Sequence, residues 1–348
     1  MLNSITHKDI IEFNKTMSLL LISKISITQA LEILIEQIKN TNFQQIIKKV
    51  LNDVTRGKTL SNSFSKYPKL FPPIYIANIK IGEETGNIAR VVSDYTTYLE
   101  KNQNLIRDLK KAARYPILVL LVSMAVITFM VFFLIPTFQN LFSSTKVSLP
   151  FVTQLIIDLS RFIENHLIWL ILILGALTSI IFKSKDSIAF KNIIDRLLLR
   201  TPLVSKLIIK NLMARFALSM SILLKSRITL LEALKIARNT SSNHIFKKEV
   251  DTVIKRIIKG ESLSANTSTS ILFDKTFSRL LFAGEQTAEL DKVFGMISDY
   301  YGKEFEYQLD VITSLIEPIL ILVIGVIVAI ILIAMYLPMF DLINYFGV

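Results

Sequence analysis

Two short stretches carry the residue types from which a binding or catalytic element is usually built. Gly82, Glu83, Thr85 and Gly86 stand in "IGEETGNIARVV", and Gly284, Glu285 and Thr287 stand in "AGEQTAELDKVF". A carboxylate beside a glycine turn has two uses. It caps a helix start, where unpaired N–H groups and the positive end of the dipole meet, or it offers a charge to a partner. The pattern leaves both uses open and places Glu83, Glu84 and Thr85 at or near the start of a following long helix. Gly82 and Gly86 permit the break before that helix, while the second stretch has Ala288 where Gly86 would fall. Other reactive patterns are missing. His7, His166 and His244 are far apart, and the sequence has no HExxH, no GxxxxGK[ST] and no GxSxG. Without cysteine there is no disulfide framework or thiolate metal site. The expectation is a protein that is not an enzyme and has no catalytic, metal-binding or cofactor-binding residues.

The totals say what such a chain is made of. It has 348 residues and a net charge of +12, and it is 51% hydrophobic yet 20% charged. That combination excludes a disordered chain and an ordinary soluble domain. It fits water-facing helices joined to membrane spans. No charge occurs between Arg114 and Lys146, nor between Glu317 and Asp341, and a shorter apolar run lies between Glu164 and Lys183. Each outer run is long enough for a bilayer core, which needs about 20 helical residues. The short middle run is read as a thinner or flank-assisted span. The start of the chain does not look like a cleavable signal, because Asp9, Glu12 and Lys15 precede a short apolar run with no cleavage site after it. None of the three runs carries Asp or Glu at its centre, which argues against an intramembrane aspartate protease or a proton pump.

Lys and Arg set the expected sidedness. Arg107, Lys110, Lys111 and Arg114 precede the first run, and Lys183 and Lys185 follow the second. These are expected to anchor topology and to touch anionic lipid. The expected division is a cytoplasmic helical domain at 1–113, spans at 115–138, 165–182 and 315–340, and a second cytoplasmic domain at 183–313. An outer loop at 139–164 and a short outer tail at 341–348 complete it. Direct nucleic-acid binding is not expected, since the basic residues cluster at span ends without interleaved aromatics.

The chain also repeats itself. "SLLLISKISITQALEI" (18–33) matches "SILLKSRITLLEALKI" (221–236), and "RGKTLSNSF" (56–64) matches "KGESLSANT" (259–267). Pro116 follows Gly82 by 34 residues, and Pro318 follows Gly284 by the same 34. This is a tandem duplication of a helical domain feeding a span. Two copies with one sidedness need a return crossing, and 165–182 supplies it. Within a copy, apolar residues at helix spacing predict about six helices in a bundle. Ser26 or Thr28 is the expected cap of the second helix and Thr41 that of the third. The last helix shows a long apolar stripe, from Ile88 through Val91, Val92, Tyr95 and Leu105, matched by Leu290, Phe294, Ile297 and Tyr301. One polar residue interrupts each stripe at the same place, Asn102 and Glu304. Such a residue either fixes register or oligomer choice or marks where the stripe turns outward. The fold class expected is an all-α integral membrane protein with two homologous cytoplasmic bundles and three transmembrane helices.

The doubled Gly-Glu-x-Thr element, Pro116 and Pro318 at the span entries, and the C-terminal "YLPMF" resemble the type II secretion system F family. The resemblance covers residues 10 to 340. It implies an inner-membrane platform protein of type IV pilus, type II secretion or competence pilus machines, without catalysis. It implies a homodimer or higher oligomer, with its N-terminus in the bacterial cytoplasm. Its implied partners are a hexameric cytoplasmic assembly ATPase, pilins or pseudopilins and other inner-membrane assembly proteins. Gly82, Glu83, Thr85, Gly86, Gly284, Glu285 and Thr287 match the motif, and Ala288 departs from it. A membrane subunit of a transporter or permease is the alternative from another class, and polar or broken helices at the bilayer centre would favour it.

Overall fold

The computed structural model describes residues 5–137, 151–184, 194–198, 200–241, 243–268, 270 and 272–346. Among them there is no β-strand. The first copy comprises α1 (His7–Ile22), α2 (Ile27–Gln37), α3 (Thr41–Thr55), α4 (Leu60–Ser65), α5 (Pro73–Glu84) and α6 (Ile88–Phe129). A π-helical turn, Met130–Leu134, continues α6. Helix α7 (Phe151–Ser184) follows. The second copy comprises α8 (Pro202–Lys225), α9 (Leu230–Ala237), α10 (His244–Ile258), α11 (Leu263–Ser268), α12 (Lys275–Thr287) and α13 (Leu290–Phe346), with a 3₁₀ turn, Arg238–Thr240, after α9. Helix α7 begins inside the segment expected as an outer loop, and α13 runs on through the expected tail. Residues 139–150 of that loop and Lys185 lie outside the described residues.

The duplication is written in the backbone. The described residues with positive φ fall into three pairs, one member in each copy: Lys24 (63°) with Arg227 (62°), Gly57 (85°) with Gly260 (87°), and Gly86 (67°) with Ala288 (55°). L-residues avoid this region, so its recurrence at matched positions means the same turns join the same helices. Short polar side chains start the helices by accepting first-turn N–H bonds. Thr6 and Asp9 form a reciprocal capping box on α1. Ser26 caps α2, and α3 is capped by Asn40 rather than the expected Thr41: the Asn40 Oδ1 accepts from Asn42 N at 3.1 Å and Phe43 N at 3.2 Å. Thr59 and Thr229 cap α4 and α9.

The chain forms two compact units. The first, Met1–Asp108 with Asn192–Gln308, holds both bundles. Phe13, Phe43, Phe71 and Tyr75 fill the first core, and Phe216, Phe246, Phe273 and Phe277 fill the second at matched positions. The ring centroids of Phe13 and Phe43, and of Phe216 and Phe246, are each 5.4 Å apart. Burying each such ring contributes about 1.5–3 kcal/mol. Helices α8 and α9 of the second copy pack on α5 of the first. There the buried Ser226 hydroxyl donates to Asn78 Oδ1 at 2.6 Å, and Lys101 pairs with Asp299 at 2.6 Å.

The second unit, Leu109–Lys191 with Leu309–Val348, gathers α7 and the apolar ends of α6 and α13. Met130, Ile135, Ile157, Ile331 and Met335 form its buried core. The Thr153 hydroxyl donates to the Ala334 carbonyl at 2.6 Å, and Ser160 to the Val131 carbonyl at 3.0 Å. Its outward side chains, among them Leu121, Met124 and Leu322, are apolar and exposed. Water does not tolerate so much apolar surface on one molecule, so the solvent of this unit is lipid. Three described helical stretches are long and apolar enough to cross a membrane, Ile88–Thr137, Pro202–Lys225 and Leu290–Leu337. Of these, α8 is the counterpart of α1, and Met213, Ala217, Met220 and Leu223 on it are fully buried. Its apolarity is that of a bundle core. Pro116 lies inside α6 and Pro318 inside α13, and neither breaks its helix.

Candidate functional site

The Gly-Glu-x-Thr stretches close one helix rather than open the next. Gly82, Glu83 and Glu84 form the last turn of α5, and Thr85 is its C-cap. Asn87 N–H then bonds the Gly82 carbonyl at 2.8 Å and Gly86 N–H the Glu83 carbonyl at 3.3 Å. This is the double closure of a helix end through a left-handed residue. Glu289 N–H to Gly284 O at 3.1 Å and Ala288 N–H to Glu285 O at 3.4 Å repeat it, so Ala288 adopts the left-handed turn without being glycine. The Thr85 hydroxyl donates back to Ile81 O at 2.7 Å, and that of Thr287 to Ala283 O at 3.0 Å.

Each glutamate caps a helix, but not the one that follows it. The Glu83 carboxylate accepts from the Leu60 N–H, from Ser61 N–H at 3.0 Å and from the Ser61 hydroxyl at 2.5 Å. Those groups begin α4, more than twenty residues earlier. Glu285 does the same for α11, accepting from Leu263 N–H at 2.6 Å, Ser264 N–H at 3.2 Å and the Ser264 hydroxyl. Placing these residues at the start of the long helix is therefore corrected. The physical reason is tertiary: α4 and α11 have six residues each, too few to hold themselves, and a carboxylate brought over their exposed N–H groups fixes them. Gly82 lets the end of α5 lie close against α6. A Cβ added there would sit 3.1 Å from Ile88 Cα, and one on Gly284 would sit 3.0 Å from the Val293 side chain.

The two polar interruptions differ in the structure. Asn102 is half-buried and its Oδ1 has no hydrogen-bond partner among the described residues. Glu304 faces Lys210 at 3.8 Å. Lys210 also bonds Asp274 at 3.3 Å and lies 4.8 Å from the centre of the Tyr301 ring. Asp274 caps α12 through Phe277 N–H at 2.9 Å and accepts the Tyr301 hydroxyl. Burial pushes the Asp274 carboxyl up, but the Tyr301, Phe277 and Lys210 donors outweigh it and hold the group below its ordinary value. Burial first, and then the Asp274 charge, push the Tyr301 phenol well above its own. Sequence reading missed this network, because only Glu304 stood out and its partners lie far away along the chain.

The remaining sequence candidates are spread out. Arg107, Lys110, Lys111 and Arg114 lie along one stretch of α6, are exposed, and have no carboxylate partner among the described residues. Lys183 lies in the last turn of α7. The residues before the two prolines do meet: the Tyr115 hydroxyl donates to Glu317 Oε1 at 3.0 Å, across a separation of 202 residues that is the repeat offset itself. Among the described residues no group of His, Asp and Glu is arranged to hold a metal ion.

Comparison with known proteins matches this doubled plan. The family described as type II secretion system (T2SS) protein F matches residues 13–136 and again 216–338. The chain is 29% identical to the type IV pilus assembly protein PilC of Pseudomonas aeruginosa, over 97% of this chain and 91% of that protein. It is also 29% identical to the PilC of Thermus thermophilus, over 98% of this chain and 84% of that one. The type II secretion system protein F of Pseudomonas aeruginosa is 26% identical, over 96% of this chain and 83% of its own length. With the family matched once in each structural copy, this chain is a multi-pass membrane protein of the type II secretion system protein F family.

Proposed function

We propose that this protein is a non-enzymatic platform in the inner membrane that couples a cytoplasmic assembly ATPase to the assembly of a pilin or pseudopilin filament. The relatives are named for type IV pilus assembly and for type II secretion, and either filament system suits the reading. One observation carries it. In each copy a single helix leaves the bundle and continues unbroken into an apolar run: 42 residues in α6 and 57 in α13. A bundle moved by a motor would transmit that movement through such a helix. Residues 1–113 and 183–313 face the cytoplasm in this reading, with spans at 115–138, 165–182 and 315–340. The exposed Arg107, Lys110, Lys111 and Arg114 hold the inner boundary against anionic lipid.

The paired glutamates are not the motor contact in this reading, since their carboxylates are committed to α4 and α11. The test uses full-length tagged protein crosslinked in its native membrane. An assembly ATPase and pilins are expected to co-purify. Recovery of a nucleotide-binding transport subunit instead would refute the reading. Inserting three glycines after Arg107 addresses the coupling itself. The variant is expected to reach the membrane folded and to assemble no filaments, and normal filament number would refute helix-borne transmission.

A further inference from the structure

The joint between the two copies gathers like charges. Where the α8–α9 corner of the second copy rests on α5 of the first, Ser226 is buried and its hydroxyl donates to Asn78 Oδ1. Lys225 and Arg227 stand on either side of that serine, and both are exposed. The first copy contributes Arg90, in the first turn of α6. These three cations line one cavity of about 230 Å³, together with Asn87 and Asp94. Among the described residues Asp94 is the only carboxylate in its wall, and it faces Arg90 at 3.9 Å. Lys225 and Arg227 have no carboxylate partner among the described residues, and the Asn87 amide has no hydrogen bond there. Like charges set together across a contact destabilise it, yet this wall holds three cations against one carboxylate. The first copy's own corner differs: Ile22 and Lys24 are the counterparts of Lys225 and Arg227. The added cation therefore belongs to the corner that forms the joint.

We propose that this cavity binds a phosphate-bearing anion, held by Arg90, Lys225 and Arg227 and by the Asn87 amide. A guanidinium fork matches two phosphate oxygens at once, and a lysine adds a compact charge. The start of α6 acts in the same sense, through the positive end of its dipole. The dimensions limit the ligand. Pockets that enclose a whole cofactor run from about 300 to 1,000 Å³, so this one takes one or two phosphate groups and leaves the rest of a larger molecule outside. A soluble polyphosphate, the phosphate end of a nucleotide and a phospholipid headgroup share that chemistry. Bound there, the anion bridges the corner of the second copy and the first turn of α6 in the first. It cancels their repulsion and tightens the hold of one bundle on the other.

Pyrophosphate is the probe, titrated calorimetrically into full-length protein in nanodiscs of phosphatidylcholine, with chloride at equal ionic strength as the reference. Saturable binding is expected, with the amides of residues 87–91 and 225–228 gaining protection from hydrogen exchange. Arg90→Gln and Arg227→Asn should each weaken binding at least about tenfold, the loss of one charged donor. Lys24→Asn removes the same charge from the same left-handed backbone outside the cavity, and should bind as the parent does. All three side chains are exposed and asparagine suits a positive φ, so the variants should melt with the parent when no ligand is present. A parent that shows no saturable binding would overturn the proposal, and so would protection confined to other amides. Equal weakening in all three variants would reduce the effect to general attraction by a basic protein and overturn it too. Nanodiscs containing phosphatidylglycerol, or oleate at the same surface charge, identify the source. Displacement of pyrophosphate by phosphatidylglycerol and not by oleate assigns the site to a lipid headgroup, and undisturbed binding assigns it to a soluble anion. The site stands apart from the platform reading. If pyrophosphate fails to bind while ATPase and pilins still co-purify, the site is wrong and the platform stands; if it binds without those partners, the reverse holds.

Discussion

Removing the Glu83 carboxylate is expected to unpin α4 and leave the rest of the first bundle in place. In Glu83→Ala the Leu60 N–H, the Ser61 N–H and the Ser61 hydroxyl all lose their acceptor. A hydrogen bond to a charged group contributes about 1.5–3 kcal/mol, and a lost helix cap costs about 1. The site is half-buried, so water replaces part of what is lost. The net cost is about 2–3 kcal/mol rather than the sum of three full bonds. For a folding unit of about two hundred residues, each kcal/mol lowers Tm by about 2–4 °C, so the expected drop is about 4–12 °C. Glu83→Gln keeps one carbonyl acceptor and should lose about 1 kcal/mol. Glu84→Ala, exposed one residue away, should lie within about 0.5 kcal/mol of the parent. The assay is thermal unfolding in detergent with amide hydrogen exchange, where the Leu60 and Ser61 amides should lose protection first. If Glu83→Ala melted with the parent and kept those amides protected yet abolished filaments, the carboxylate would be a partner contact and the capping account would fall.

Three further outcomes follow from the same geometry. Ala288→Gly should stabilise the second copy by about 0.5–1 kcal/mol, because a φ of 55° strains alanine and not glycine; Gly86→Ala should destabilise the first by a similar amount, both read by thermal melting. Gly82→Ala should cost about 1–3 kcal/mol through overpacking, because its Cβ meets the Ile88 backbone at 3.1 Å and not a movable side-chain tip. Asp274 titrates below its ordinary value when folded, so its contribution is complete above about pH 4, the unfolded value, and is lost as pH falls through the lower folded value. Acid unfolding of Asp274→Asn should therefore show a shallower loss below pH 4 than the parent, and an unchanged profile would refute the depressed carboxyl.

The duplication was legible because it rests on types that few positions tolerate. Gly57 with Gly260 and Gly82 with Gly284 recur because left-handed turns and close helix contact leave little choice. The apolar outer spans were equally plain. The target of Glu83 was hidden, since reading along the chain favours the nearest helix start and the true one lies across the bundle. A better signal was present: a glycine after a helix more often closes it than opens the next, and Gly86 does so. The network of Lys210, Asp274 and Tyr301 was hidden for the same reason, joining α8, α12 and α13 through contacts that no spacing rule encodes. Helix α8 shows the converse difficulty. Its composition suits a span, and only its packing, with Met213 and Met220 fully covered, assigns it to a core.

The membrane unit has features that suit transmission more than transport. Its helices meet through hydroxyl donors aimed at backbone carbonyls, Thr153 to Ala334 and Ser160 to Val131, and no ionisable side chain lies in its described core. Val131 belongs to the π-helical turn at the end of α6, where the ordinary ladder is interrupted and a carbonyl is free to accept. The Ser160 hydroxyl on that carbonyl ties α7 to α6 at that point by more than apolar contact. The Thr153 bond ties the same helix to α13, and the Tyr115–Glu317 bond joins α6 to α13 at equivalent positions of the two copies. Sliding one of these helices against the others breaks at least one of these hydrogen bonds. A displacement entering along α6 or α13 is therefore shared by all three helices, which is the behaviour required of a part that must move as one body.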